Sequence, residues 1–163
     1  MQESRLDLFI KRIIAQRDCL NLAAKLIACS PGSIIELGLG SGRTYDHLRE
    51  VFPYREIYVF ERDVAAHPDC TPPSKYLLEG DFKNTLPNAH KIIGSPVALI
   101  HGDFGSAYPE RDANLARWLA NALDALLQNG TLLITDRPLP NKSWTVQPLP
   151  STVPRGTYYM YRV

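Results

Sequence analysis

Between Pro31-Gly32 and Tyr45 the chain reads Ser33-Ile34-Ile35-Glu36-Leu37-Gly38-Leu39-Gly40-Ser41-Gly42-Arg43-Thr44. Few architectures accommodate that order. The short apolar run at Ile34-Ile35, bounded by Pro31-Gly32, reads as a buried strand. Three glycines at alternate positions follow, and from Thr44 to Glu50 the pattern is helical. Glycines let a ligand approach the backbone, and a helix N-terminus favours negative charge. A strand, glycine turn and helix in this order suit a phosphate, a carboxylate or a nucleoside.

The spacing narrows the ligand. A dinucleotide-binding turn has the form G-x-G-x-x-G, but Arg43 stands where its third glycine would be, and Gly42 comes one place earlier. Glu36 lies two residues before Gly38. Acid-x-Gly-x-Gly-x-Gly resembles the first motif of the class I S-adenosylmethionine-dependent methyltransferases. The resemblance implies that Glu36 lies near the methionine amino group. It also implies that Gly38, Leu39, Gly40, Ser41, Gly42 and Thr44 pass beneath the methionine and ribose.

Three later strand ends extend the resemblance. Glu56 to Phe60 reads as a second strand and ends in Glu61-Arg62-Asp63, with Glu61 nineteen residues past Gly42. A carboxylate there can accept hydrogen bonds from both hydroxyls of a ribose, with Arg62 beside it. An NAD-binding domain shares this feature, so it supports a nucleoside rather than a particular one. Lys75 to Glu79 reads as a third strand followed by Gly80-Asp81-Phe82. In the resembled family the acid accepts from the adenine amino group and the neighbouring side chain packs on the ring; alternatively Asp81 caps a helix over about Asn84 to Ile93. Pro96 to Ile100 reads as a fourth strand running into His101-Gly102-Asp103-Phe104-Gly105. The resemblance places this loop at the transferable methyl, making Asp103 and His101 the candidate general bases for an acceptor that loses a proton. The plainer alternatives are a backbone contact of His101 with the cofactor and a loop-ordering role for Asp103.

The rest of the chain frames these sites. From Glu3 to Cys29 apolar residues recur at Leu6, Ile13, Leu20 and Ile27, which reads as an amphipathic helix with a break near Asp18. Arg5, Lys11, Arg12 and Arg17 lie mostly off the stripe as a solvated face; a substrate- or partner-binding helix is the alternative. Pro68, Pro72 and Pro73 leave no room for a useful helix between Asp63 and Lys75. A helix is expected from Arg111 to Gln128 and a fifth strand from Thr131 to Asp136. Trp144 to Gln147 and Thr157 to Arg162 then suggest an antiparallel terminal hairpin, with the usual fifth crossover helix absent or reduced.

The expected fold is therefore α/β: a Rossmann-like three-layer sandwich with a mostly parallel seven-stranded sheet, an antiparallel C-terminal hairpin and a preceding N-terminal helix. One domain is expected over 1–163, with a helical segment at 1–30 and a cofactor-binding core at 33–163. The 163 residues suit that size. A net charge of +1 gives no footprint for nucleic acid or a membrane surface, and no apolar run approaches the roughly 20 residues of a membrane span. Cys19, Cys29 and Cys70 are widely spaced and odd in number, which fits reduced thiols in the cytoplasm. The resemblance implies an S-adenosylmethionine-dependent methyltransferase acting on a small-molecule acceptor, with the N-terminal helix as the candidate surface for a homo-oligomer. The alternatives are a non-catalytic cofactor- or partner-binding module, an NAD-linked oxidoreductase, and divalent-metal assistance through Asp103, Asp136 and Asn141; no metal is part of the primary expectation.

Overall fold

In the computed structural model, which describes residues 3–94, 96–106, 108–141 and 143–163, strand β1 (Ser33–Leu37) lies within the sheet with all five residues buried. It runs parallel to β2 (Ile57–Glu61) on one side and β4 (Val97–Gly102) on the other. Strands β3 (Leu77–Glu79) and β5 (Leu132–Thr135) extend the parallel set outward. Two antiparallel strands, β6 (Thr145–Val146) and β7 (Tyr159–Arg162), complete the order β3-β2-β1-β4-β5-β7-β6. The strand ends bearing the glycine turn, Glu61, Asp81 and Asp103 thus share one edge of the sheet, where open α/β folds hold ligands.

Side chains along a strand point alternately to opposite faces, and the sheet has a core on each. Ile34, Val59, Leu99, Leu132 and Met160 pack toward α1 (Arg5–Leu26) and α2 (Arg43–Val51). Ile35, Leu37, Phe60, Ile100 and Leu133 face α4 (Ala89–Ile92) and α5 (Pro109–Ala122). The result is the expected three-layer arrangement. No helix among the described residues is long and apolar enough to cross a membrane.

Several boundaries differ from the sequence expectation. Helix α1 is uninterrupted at Asp18, whose carboxylate accepts from Arg17 and Thr152. Its buried face is built from Ala15, Gln16, Cys19, Leu20 and Ala23, whereas Leu6, the expected start of the stripe, is 65% exposed. Leu8, Phe9, Ile10 and Ile14 are exposed with it, because the first turns of α1 run beyond the sheet-facing part of the helix. The helix expected over Asn84–Ile93 is instead α3 (Phe82–Thr85), a tight turn at Leu86–Asn88 and α4. Pro87 has no N–H to continue a helical ladder, which accounts for the interruption. Helix α5 closes at Ala122, short of Gln128. After β2, two single 3₁₀ turns, Pro68–Cys70 and Ser74–Tyr76, replace the usual crossover helix, as the prolines require.

Arg55 ties α1 to the sheet. Its guanidinium donates to the carbonyls of Ile27, the C-cap of α1, and of Ser30 and Gly32 in the turn before β1, at 2.7, 2.7 and 2.9 Å. We expect Arg55→Ala to lower unfolding stability by on the order of 2–3 kcal/mol, since three charge-assisted bonds are lost and water recovers part of them. Urea denaturation at neutral pH measures it.

Candidate active site

The glycine turn is held by a carboxylate from the neighbouring strand. Glu61 Oε2 accepts from the backbone N–H of Leu39 at 2.7 Å and of Gly40 at 3.0 Å. Its Oε1 accepts from Arg62 and Asp63 N–H at 2.7 and 3.1 Å. Burial would raise the Glu61 pKa, but these four backbone donors outweigh it and hold the carboxyl below its ordinary value. A full negative charge therefore stands at the end of β2. Gly42 closes the turn by donating from its N–H to Leu39 O at 2.8 Å, and it is the N-cap of α2. With φ at +78° and Cys70 against it, this position excludes a side chain.

Two cavities meet at Glu61. The larger, about 720 Å³, is bordered by Glu61, Arg62, Asp81, Phe82, Phe104 and Trp118. The smaller, about 260 Å³, lies over Gly38–Ser41 and Thr44 and is roofed by Phe9, Arg12, Ile13 and Gln16 of α1, with Asp103 at its rim. The Asp81 carboxylate accepts from Lys83 N–H at 2.9 Å and so caps α3 while bordering the larger cavity. Arg62 pairs with Asp63 at 2.8 Å on the surface of the same cavity.

The structure separates the remaining expected residues. Asp103 reaches the smaller cavity, where its Oδ2 accepts from Gln16 Nε2 at 2.8 Å and lies 3.6 Å from Arg12 Nη2. His101 and Glu36 border neither cavity. They are 0% and 1% exposed, and they face each other across the paired strands β1 and β4 with Nδ1 to Oε2 at 2.7 Å. Tyr158 closes the other side of the His101 ring, with its hydroxyl 3.4 Å from Nε2. A proton on His101 thus has no open path to an acceptor, and the expected base of the two with access is Asp103.

Sequence reading missed the residues that shape the site from a distance. Arg12 and Gln16 roof the smaller cavity, and Leu115 and Trp118 of α5 wall the larger. The loop after β4 is pinned by two buried carboxylates. Asp136 accepts from Phe104 and Gly105 N–H at 3.1 and 3.0 Å, while Asp112 accepts from Ser106 N–H and Oγ at 2.8 and 2.6 Å. Burial pushes the Asp136 pKa up to about 6, with the Asp103 charge adding to it. For Asp112 burial acts in the same direction, but Ser106 and Arg137 outweigh it and lower the value. Of the residues in the metal alternative, Asp136 accepts from the loop and Asn141 Oδ1 accepts from Ser143 N–H at 2.8 Å; among the described residues no group of three or more His, Cys, Asp or Glu is placed to hold a metal ion.

A family model described as S-adenosyl-L-methionine methyltransferase matches residues 3–163. The chain belongs to that family. This methyltransferase is 41% identical to the S-adenosyl-L-methionine methyltransferase of Silicibacter pomeroyi DSS-3, with a TM-score of 0.92 and 99% of both chains covered. The calicheamicin methyltransferase CalS11 has a TM-score of 0.60 at 18% identity, covering 98% of this chain and 80% of that one. Aeropyrum pernix fibrillarin, solved with natively bound S-adenosyl-L-methionine, has a TM-score of 0.51 at 15% identity over 90% of this chain and 75% of its own. At these identities the last two share the fold alone. Among curated proteins, none matches the chain. S-adenosylmethionine is thus the cofactor of this methyltransferase, as the family resemblance implied, and the NAD alternative has no support.

Proposed function

We propose that this methyltransferase transfers the methyl group of S-adenosylmethionine to a small-molecule acceptor presented beside Asp103. The observation that carries the reading is the meeting of two cavities at one ionised carboxylate, Glu61. A ribose joins an adenine to a methionine in the same way. Glu61 would hold the ribose hydroxyls. Asp81 and Phe82 would take the adenine in the larger cavity, and the turn from Gly38 to Gly42 would underlie the methionine. Bound S-adenosylmethionine supplies an electrophilic sulfonium carbon, so the chain's task is alignment and exclusion of water. The roof of α1 and the pinned loop after β4 serve that task. A small acceptor is supported by the net charge of +1, which offers no broad basic face to a nucleic acid.

Three experiments test the reading. Glu61→Ala should weaken S-adenosylhomocysteine binding by about 1–3 kcal/mol; unchanged affinity by calorimetry removes Glu61 from the ribose site. Binding should also weaken in acid as pH falls through the lowered Glu61 pKa, because protonation removes the acceptor charge. For the acceptor, incubation with methyl-labelled S-adenosylmethionine and a cell extract should place the label in the low-mass fraction. Label in protein or RNA instead overturns the small-molecule assignment.

A further inference from the structure

We infer that α1 reads the amino-acid end of the cofactor, with Arg12 receiving the α-carboxylate and Asp103 facing the α-ammonium. The inference rests on the cofactor reading above and assigns a part of the site that the glycine turn does not explain. In the resembled family the acid before the first glycine lies near the methionine amino group. Here that acid, Glu36, is buried against His101 and does not border the cavity over the glycines. The amino-acid end of a ligand in this cavity therefore has to find its partners elsewhere.

Arg12 is placed to be one. It projects from α1 into the cavity roof beside Phe9 and Gln16. Its Nε is the one buried side-chain nitrogen or oxygen among the described residues with no hydrogen-bond partner. Its Nη2 stands 3.6 Å from Asp103 Oδ2, beyond hydrogen-bond reach, because Gln16 Nε2 occupies the close position at 2.8 Å. Nε itself is shielded, but the side chain is 41% exposed and Nη2 makes no close bond to Asp103, so the outer nitrogens keep donors for the cavity that Arg12 borders. A planar fork of N–H donors matches a carboxylate through two parallel bonds. An α-amino acid carries its cationic and anionic groups on one carbon, and the Arg12–Asp103 pair presents the two opposite charges at a comparable spacing. Arg43 also borders the cavity, but it is exposed on the first turn of α2.

Calorimetric titration of the full chain with two probes isolates the contact. S-adenosylhomocysteine carries the amino-acid end, and methylthioadenosine is the same thioether nucleoside without it. We expect Arg12→Met to weaken S-adenosylhomocysteine about tenfold to a hundredfold while methylthioadenosine binding stays within about twofold. Arg12→Lys, which keeps the charge but not the fork, should recover part of the loss. Decarboxylated S-adenosylhomocysteine should bind the unaltered chain more weakly by a similar factor, a comparison that needs no variant to fold. An equal loss for both probes, no loss for S-adenosylhomocysteine, or a loss that appears in Arg43→Met and not in Arg12→Met overturns the assignment. If the unaltered chain binds methylthioadenosine and S-adenosylhomocysteine equally well, the amino-acid contact is overturned while the nucleoside site stands. If it binds neither, the cofactor placement itself fails.

Discussion

Replacing His101 with alanine should destabilise the fold by about 3–5 kcal/mol, because it strands a buried carboxylate without its partner. His101 and Glu36 are register partners on the adjacent central strands, and neither reaches solvent. Burial would lower the His101 pKa, but the Glu36 carboxylate 2.7 Å away outweighs it and raises the value. Burial raises Glu36 as well. The two directions describe one proton kept between Nδ1 and Oε2 to a higher pH than a solvated histidine would keep it. The His101 contribution is fully present below the ordinary histidine value of 6.5 and is lost as pH rises through the raised folded value, while Glu36, raised by burial, loses stability as pH rises from its ordinary 4.5 through its own raised value. In the alanine variant Glu36 loses the partner that holds its value down, so the loss that begins as pH rises above about 4.5 should grow larger and extend to higher pH than in the intact protein. Urea midpoints measured across pH 4–9 separate the two profiles. A double variant, Glu36→Leu with His101→Leu, should regain most of the stability, because it removes the stranded charge rather than exposing it.

Gly42→Ala should be the most damaging single change in the turn. An added Cβ would sit 2.5 Å from Cys70 O and 2.6 Å from Cys70 Cβ, and the residue would still have to hold φ at +78°. The left-handed backbone alone costs roughly 1–2 kcal/mol. The backbone clash is relieved only by moving the start of α2 away from the 3₁₀ turn at Pro68–Cys70. We expect on the order of 3 kcal/mol or more of lost stability together with at least tenfold weaker S-adenosylhomocysteine binding. Gly40→Ala provides the contrast. No atom lies within 4 Å of its added Cβ, and Gly40 borders the smaller cavity. That variant should lose roughly 1–2 kcal/mol of stability from the backbone term alone, with a further loss of cofactor affinity where the methyl meets the ligand. Thermal melts and calorimetry on the two variants distinguish a broken turn from an obstructed one.

The strand-end groups were legible in the sequence because each follows its own strand within a few residues. Glu61, Asp81 and Asp103 are placed by local pattern, and the parallel sheet brings their ends to one edge. The glycine spacing excluded the dinucleotide form for an equally local reason, the side chain at Arg43. Groups supplied from far along the chain were not legible. Arg12 and Gln16 sit on a helix whose charges read first as a solvated face, with a substrate- or partner-binding helix as the alternative, and only the packing of Ala15, Cys19 and Ala23 turns them over the glycine turn. Asp112 and Asp136 order the loop after β4 through bonds that depend on how α5 and β5 dock. Glu36 shows the limit most clearly. Its motif position suggested a cofactor contact, but the register between β1 and β4 sets it opposite His101, and register between distant strands is not written in the spacing of either.

The central claim is that one ligand spans both cavities, with its ribose at Glu61. A crystal structure of the complex with S-adenosylhomocysteine tests it most directly. The account predicts adenine in the larger cavity beside Asp81 and Phe82, the ribose hydroxyls on Glu61, and the amino-acid end beneath α1 over Gly38–Gly42. Adenine seated outside that cavity, or an amino-acid end turned away from the glycine turn into solvent, would contradict it.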